Sequence, residues 1–257
     1  MTGFVTIFHR EISRFSKVLV QTVVTPLISS FLYLLIFGVS LGEQMQDHRG
    51  VSYISFLIPG LMMMGLINNS FQNSSSSIVS SKFSGDLEDL RVAPVTDHEI
   101  IWAMSLGSLV RGTIVGVITY LVGAAFMVFQ QGEWLPIVHP VATLFFVIVS
   151  GLTFGMLGIS IAFWATTFDQ LSAFSAFILL PLTYLGGVFL SIEHLHPFWQ
   201  MISKANPLLY LINGLRYGVL GVSDVNPWTA AVISLLGFMV FYGLARWSLK
   251  RGSFQRW

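Results

Sequence analysis

The chain has 257 residues, of which 54% are hydrophobic and only 10% charged, and its net charge is +1. Soluble domains carry about 25% charged residues, so a chain with 22 Phe and so few charges to cover them has lipid, not water, as its solvent. So small a net charge excludes a field able to hold nucleic acid, and the absence of Cys excludes disulfides, Fe–S clusters, thiolate zinc sites and Cys nucleophiles.

Phe4, Ile7, Phe8, Ile12 and Phe15 recur at helical spacing, with Arg10, Glu11, Arg14 and Lys17 off that stripe. Such a segment (1–17) is expected to lie in the headgroup plane and lead into the first span. The basic residues come late and no Ala-x-Ala site follows, so the first hydrophobic segment is expected to stay as an anchor, not to be removed as a signal peptide.

Crossing the hydrocarbon takes about 20 mostly apolar residues in a helix. Six stretches free of Asp, Glu, Lys and Arg are long enough: Val18–Gly42, Gly50–Ser81, Gly112–Gly132, Trp134–Phe168, Gln170–Ile192 and Val225–Ala245. The third is expected to begin near Asp97, with Arg111 inside it. The chain therefore reads as one all-α polytopic transmembrane domain over 1–257, with six spans at about 18–42, 51–78, 97–129, 138–166, 170–191 and 226–247. Placing the N-terminus inside puts nine Lys and Arg (Arg10, Arg14, Lys17, Lys82, Arg91, Arg246, Lys250, Arg251, Arg256) in cytoplasmic segments and three (Arg49, Lys204, Arg216) outside. Both termini are thus expected in the cytoplasm.

The second span ends in a polar run, where Asn69, Gln72, Asn73 and Ser76 recur at i, i+3, i+4 and i+7 on one face. Amides there must face protein or water, as interhelical hydrogen bonds or as the lining of a path. Between the second and third spans, Ser84 can cap a short helix (84–92) with Asp86, Glu88 and Asp89 in its first turns, which Pro94 should end. Leu87, Leu90 and Val92 beside that acidic cluster suggest a docking surface. Thr96 and Glu99 form a capping box for the next helix, with Val95 and Ile100 as its hydrophobic staple. Arg111, roughly 22 Å along that helix, is a functional suspect by its depth, with snorkelling toward the cytoplasm as the ordinary alternative; a structural ion pair or headgroup contact is expected of it in preference to direct substrate binding.

Gly112/Gly116 and Gly151/Gly155 suit close helix packing within one subunit. Pro181, Gly186 and Gly187 predict a kinked or flexible fifth span. The segment 194–221 is too apolar for a loop; Asn206 and Pro207 start a helix that Gly221 ends, about 20 Å long and too short to cross. It reads as an interfacial or re-entrant cap on the outer side.

None of the four lysines follows Gly, so the chain has no P-loop. No H-E-x-x-H occurs, His194 and His196 have poor metal spacing, and Gly158-Ile-Ser-Ile-Ala162 lacks a His within a span to activate its serine. No catalytic residue and no metal site is expected.

Leu90-Arg-Val-Ala-Pro-Val95 after a polar second span, Pro181-Leu-Thr-Tyr-Leu-Gly-Gly-Val-Phe189 and Asn206-Pro-Leu-Leu-Tyr-Leu-Ile-Asn-Gly-Leu-Arg-Tyr-Gly218 occur in that order. Together they resemble the ABC-2 type permease family, the membrane subunits of one class of ABC exporter. The chain is similar to the YadH-like permeases and to nodulation-factor and daunorubicin-type exporter subunits. The resemblance implies a homodimer in the bacterial inner membrane that moves an amphipathic molecule outward. A separate ABC ATPase subunit would bind ATP and Mg, and this chain would hold no cofactor. It also implies a coupling helix at Gly85, Asp86, Leu87, Glu88, Asp89, Leu90 and Arg91. The translocation path would then run past Asn69, Gln72, Asn73, Ser76, Pro181 and Tyr184. The alternative, a self-sufficient secondary transporter or channel, would need carboxylates or His paired within the spans, and the spans offer no such pairs.

Overall fold

The computed structural model describes residues 2–40 and 50–252. The last residues assigned to the first span (41–42), Arg49 and Arg256 lie outside the described residues, as does the side chain of Arg91. Every regular element among the described residues is helical.

Helix α1 (Thr2–Ser16) precedes α2 (Leu19–Tyr33), which widens into a π-helical turn at Leu34–Ser40. Helix α3 (Tyr53–Ser84) is followed by the short α4 (Asp86–Val92), and then α5 (Asp97–Gln131) and α6 (Pro140–Trp164) complete the centre. The fifth apolar segment is built of α7 (Phe168–Phe174), a π turn (Ser175–Leu179) and α8 (Leu180–Leu185). Short α9 (Pro197–Ala205) and α10 (Pro207–Leu220) lead to α11 (Pro227–Arg251). Six of these helical stretches are long and apolar enough to cross a membrane.

Helices α3 and α6 form the middle of the bundle: 78% and 72% of their most apolar windows are buried, against 17% for both the fifth segment and α11. Lipid tails are as apolar as Leu, so such helices associate by close packing and hydrogen bonds, not by escape from water. Both occur here. A Cβ on Gly158 of α6 would stand 2.5 Å from the Phe71 carbonyl of α3, and one on Gly112 of α5 would stand 2.8 Å from the Leu66 carbonyl. At those crossings Ser74 Oγ donates to Gly155 O at 2.6 Å and Ser70 Oγ donates to Ser108 O at 3.2 Å. The glycines of α5 and α6 thus act in packing within one subunit.

Local chemistry fixes the helix ends. The Thr96–Glu99 capping box starts α5, with Val95 and Ile100 in one apolar cluster beneath it. Asn206 caps α10 at Leu208 N, 3.0 Å away, with Pro207 in its first turn and Gly221 (φ +76°) beyond its last. In the fifth segment, Pro181 lacks the N–H that would bond Phe177 and its ring clashes with that carbonyl, so the turn before it opens into π geometry. On α11, Trp228 and Trp247 stand nineteen residues apart, roughly 28 Å of helix, matching the hydrocarbon thickness between two interfaces.

Two sequence expectations change. Ser84 does not cap α4: it is the last residue of α3, its hydroxyl donates to Asp86 Oδ2, and Gly85 (φ +87°) stands between the helices. Arg216, counted with the charges of the outer segments, is fully buried in protein. Its guanidinium lies 3.6 Å from the centre of the Phe56 ring and donates to Gly187 O, Asn213 Oδ1 and Phe56 O at 2.8, 3.2 and 3.4 Å. An aromatic face and two main-chain carbonyls replace the water it loses. Asn213 Oδ1 also accepts from Asp224 N, and Asp224 Oδ2 accepts from Ile192 N, so this cation ties α3, the end of α8, α10 and the segment before α11 together.

Candidate functional site

Three of the sequence-assigned residues of α4, namely Asp86, Glu88 and Asp89, are exposed, and they form an acidic face at one end of the bundle. Leu87 is only 2% exposed and Leu90 is half-buried, so these two fasten the helix to the bundle and do not offer a docking surface. Of the apolar residues in this stretch, Val92 (84% exposed) and Phe83 face outward. The end of α3, next to α4, meets two other helices. Lys82 Nζ donates to the carbonyls of Ala162, Phe163 and Ala165 at 2.8, 2.9 and 3.0 Å, so the end of α3 caps the C-terminus of α6 with a cation. Phe83 stacks on Phe168 at the start of α7, 5.8 Å between ring centres. The last turn of α3, which Gly85 joins directly to α4, is thus the place where α6 and α7 are hydrogen-bonded and stacked.

The polar face of α3 divides into two parts. Nearer α4 it receives α1. Arg14 donates to Asn73 O (2.5 Å), Asn73 Oδ1 (3.1 Å) and Ser76 Oγ (3.1 Å). Glu11 is wholly buried and accepts from Ser77 Oγ at 2.6 Å, from Arg14 at 3.3 Å and from Arg10 at 3.4 Å. Asn73 and Ser76 thus take part in fastening α1, and Glu11, expected off the apolar stripe, points into the protein. Glu11 and Arg14 sit one helical turn apart, and that spacing was the one signal of this clamp in the sequence.

Farther along α3, Asn68, Asn69 and Gln72 line a cavity of about 260 Å³ with Gln21, Thr25 and Ser29 of α2 and Thr119 of α5. On the other side of Gln72, a second cavity of about 280 Å³ is lined by Ser75, Ser76, Ser172 and Ser175. Arg111 and Gln72 line both. Among the described residues the Arg111 guanidinium makes no ion pair, and its buried Nε has no hydrogen-bond partner. Pro181 and Tyr184 line neither cavity. Tyr184 instead packs edge-on against Phe189, which meets Tyr33 and Phe37 at 5.7 and 4.8 Å, and Tyr33 is the last α2 residue lining the first cavity. Tyr184 therefore belongs to an aromatic cluster beyond the Tyr33 end of that cavity.

Six membrane-length helices, an anchored acidic helix between two of them and polar cavities among apolar surfaces define a polytopic membrane protein of the transport class. The model of the ABC-2 type transporter family matches residues 2–220, and the chain belongs to that family. It is similar to the inner membrane transport permease YadH of Escherichia coli (strain K12), 41% identical over 244 residues that cover 95% of this chain and 93% of that one. More distant relatives include nodulation protein J of Neorhizobium galegae, 24% identical over 95% of this chain and 92% of the relative. Nodulation protein J of Rhizobium meliloti (strain 1021) is 22% identical over 85% and 82%.

Proposed function

We propose that this permease is one half of a homodimeric ABC exporter, with both termini in the cytoplasm, and that a separate ATPase docks on α4 to drive an amphipathic molecule outward across the inner membrane. The observation that carries this reading is the acidic face of α4, fixed by the buried Leu87 and joined through Gly85 to the end of α3, where Lys82 and Phe83 meet α6 and α7. Exposed Asp86, Glu88 and Asp89 are suited to a basic groove on a soluble partner, and the contacts beneath them reach toward the polar cavities. Nucleotide and Mg belong to that partner. Gly85 and Arg91 complete the coupling segment, and Asn69, Gln72 and Ser76 with the two cavities mark the path.

A second copy is supported by the lipid-facing surface. Gln21, Thr25 and Ser29 border an open cavity and would meet hydrocarbon without a cover, whereas the exposed face of α11 is apolar and flanked by Trp. Covering the α2 side with another copy satisfies those groups.

The test is affinity purification of the tagged chain from its native membranes. A P-loop ATPase is expected to co-purify, and replacing Asp86, Glu88 and Asp89 together by Lys is expected to weaken pairing about tenfold without lowering the amount of permease in the membrane. Undiminished pairing in that variant would remove the coupling role from α4.

A further inference from the structure

Arg111 is the one basic residue inside the two cavities, and neither cavity is lined by a carboxylate among the described residues. Its neighbours there are amides and hydroxyls: Gln72 between the cavities, Gln21 and Thr25 on one side, Ser172 and Ser175 on the other. These groups solvate an ion without neutralising it. A membrane-embedded guanidinium with no counter-charge is unfavourable unless an anion comes to it, and its forked donors match phosphate and carboxylate oxygens. The same cavity that holds Gln21 and Thr25 also presents Pro26, Leu61, Met64 and Val115, an apolar wall on which a hydrocarbon chain can lie.

We propose that Arg111 is an anion-binding residue, and that the molecule occupying these cavities is an amphiphile with an anionic phosphate or carboxylate head. The inference rests on the transport reading above and narrows its substrate class. Two sources share this chemistry: a guest on its way across the membrane, and a phospholipid headgroup of the surrounding bilayer.

The experiment uses the full chain in nanodiscs of phosphatidylcholine, with dodecyl phosphate as probe and dodecanol as its uncharged match. Dodecyl phosphate is expected to bind wild type about tenfold more tightly than Arg111→Gln, while dodecanol binds both alike and Arg111→Lys recovers part of the difference. Gln72→Leu, which keeps the guanidinium, is expected to lose less and guards against a misfolded Arg111→Gln. Adding phosphatidylglycerol to the nanodiscs separates the sources: displacement of the probe identifies the headgroup as occupant, and retention identifies a guest other than bulk lipid, the site standing in both cases. Equal binding of dodecyl phosphate to wild type and Arg111→Gln, or none to either, overturns the proposal. The assay needs no ATPase, so a missing ATPase partner would overturn the transport reading and leave this result intact.

Discussion

Two buried cations are held in different ways, and each makes a test at the level of single residues. Arg216 is fixed by a fork that reaches Gly187 O, Asn213 Oδ1 and Phe56 O at once, over the face of Phe56. Arg216→Leu leaves those acceptors without a donor and is expected to cost about 2–4 kcal/mol, read as a lower unfolding temperature in detergent. Arg216→Lys is expected to restore only a fraction, because a point ammonium cannot span three acceptors and stack on a ring. Lys82 is the opposite case. Its three acceptors converge on one nitrogen, so Lys82→Arg is expected to be worse tolerated there than an Arg-for-Lys exchange on the surface, by the same thermal measurement.

Among the helices, the α3–α6 crossing is the tightest test of packing. Gly158→Val would push a branched side chain into the Phe71 carbonyl and is expected to cost about 3 kcal/mol or more, whereas the same change at Gly237, which has open space around it, is expected to be tolerated. The contrast is read from the yield of folded protein after extraction. These elements also show what a linear chain reveals. Periodicity, charge-free length and capping chemistry exposed the six helices, the Thr96–Glu99 box and the Asn206–Gly221 bounds of α10, because each depends on residues within a turn of one another. The Glu11–Arg14 clamp on Ser77 and Asn73, the Lys82 cap on α6 and the Arg216 knot join residues up to 160 positions apart, and beyond the Glu11–Arg14 spacing no local pattern carries that information. The burial of Arg216 is illegible in the sequence for this reason. A charge in an apolar stretch looks unfavourable until its acceptors are known. The division of the polar α3 face, part clamp and part cavity wall, was likewise invisible without α1 in place.

For the molecule as a whole, the natural absence of Cys makes the chain a ready background for cross-linking. Single Cys placed on the cavity side of α2, at Thr25 or Ser29, are expected to form disulfides between copies, and Cys at Val232 or Met239 of α11 are expected not to. The reverse pattern would move the subunit contact to α11. Tags at the two ends are expected to be accessible together, from the cytoplasmic side only. The last consequence comes from Gly85. A single left-handed residue closes a 32-residue helix and opens the next, with no slack peptide between them. If the proposed ATPase docks on α4, such a joint would behave as the elbow of a crank: a tilt imposed on α4 would become rotation or translation of α3, and the stiffness of the elbow would set how much of the stroke arrives at the membrane's midplane. Gly85→Ala, strained at that φ, is expected to cost about 1 kcal/mol in stability yet to uncouple ATP turnover from transport far more than that figure suggests, measured as the ratio of the two rates in proteoliposomes.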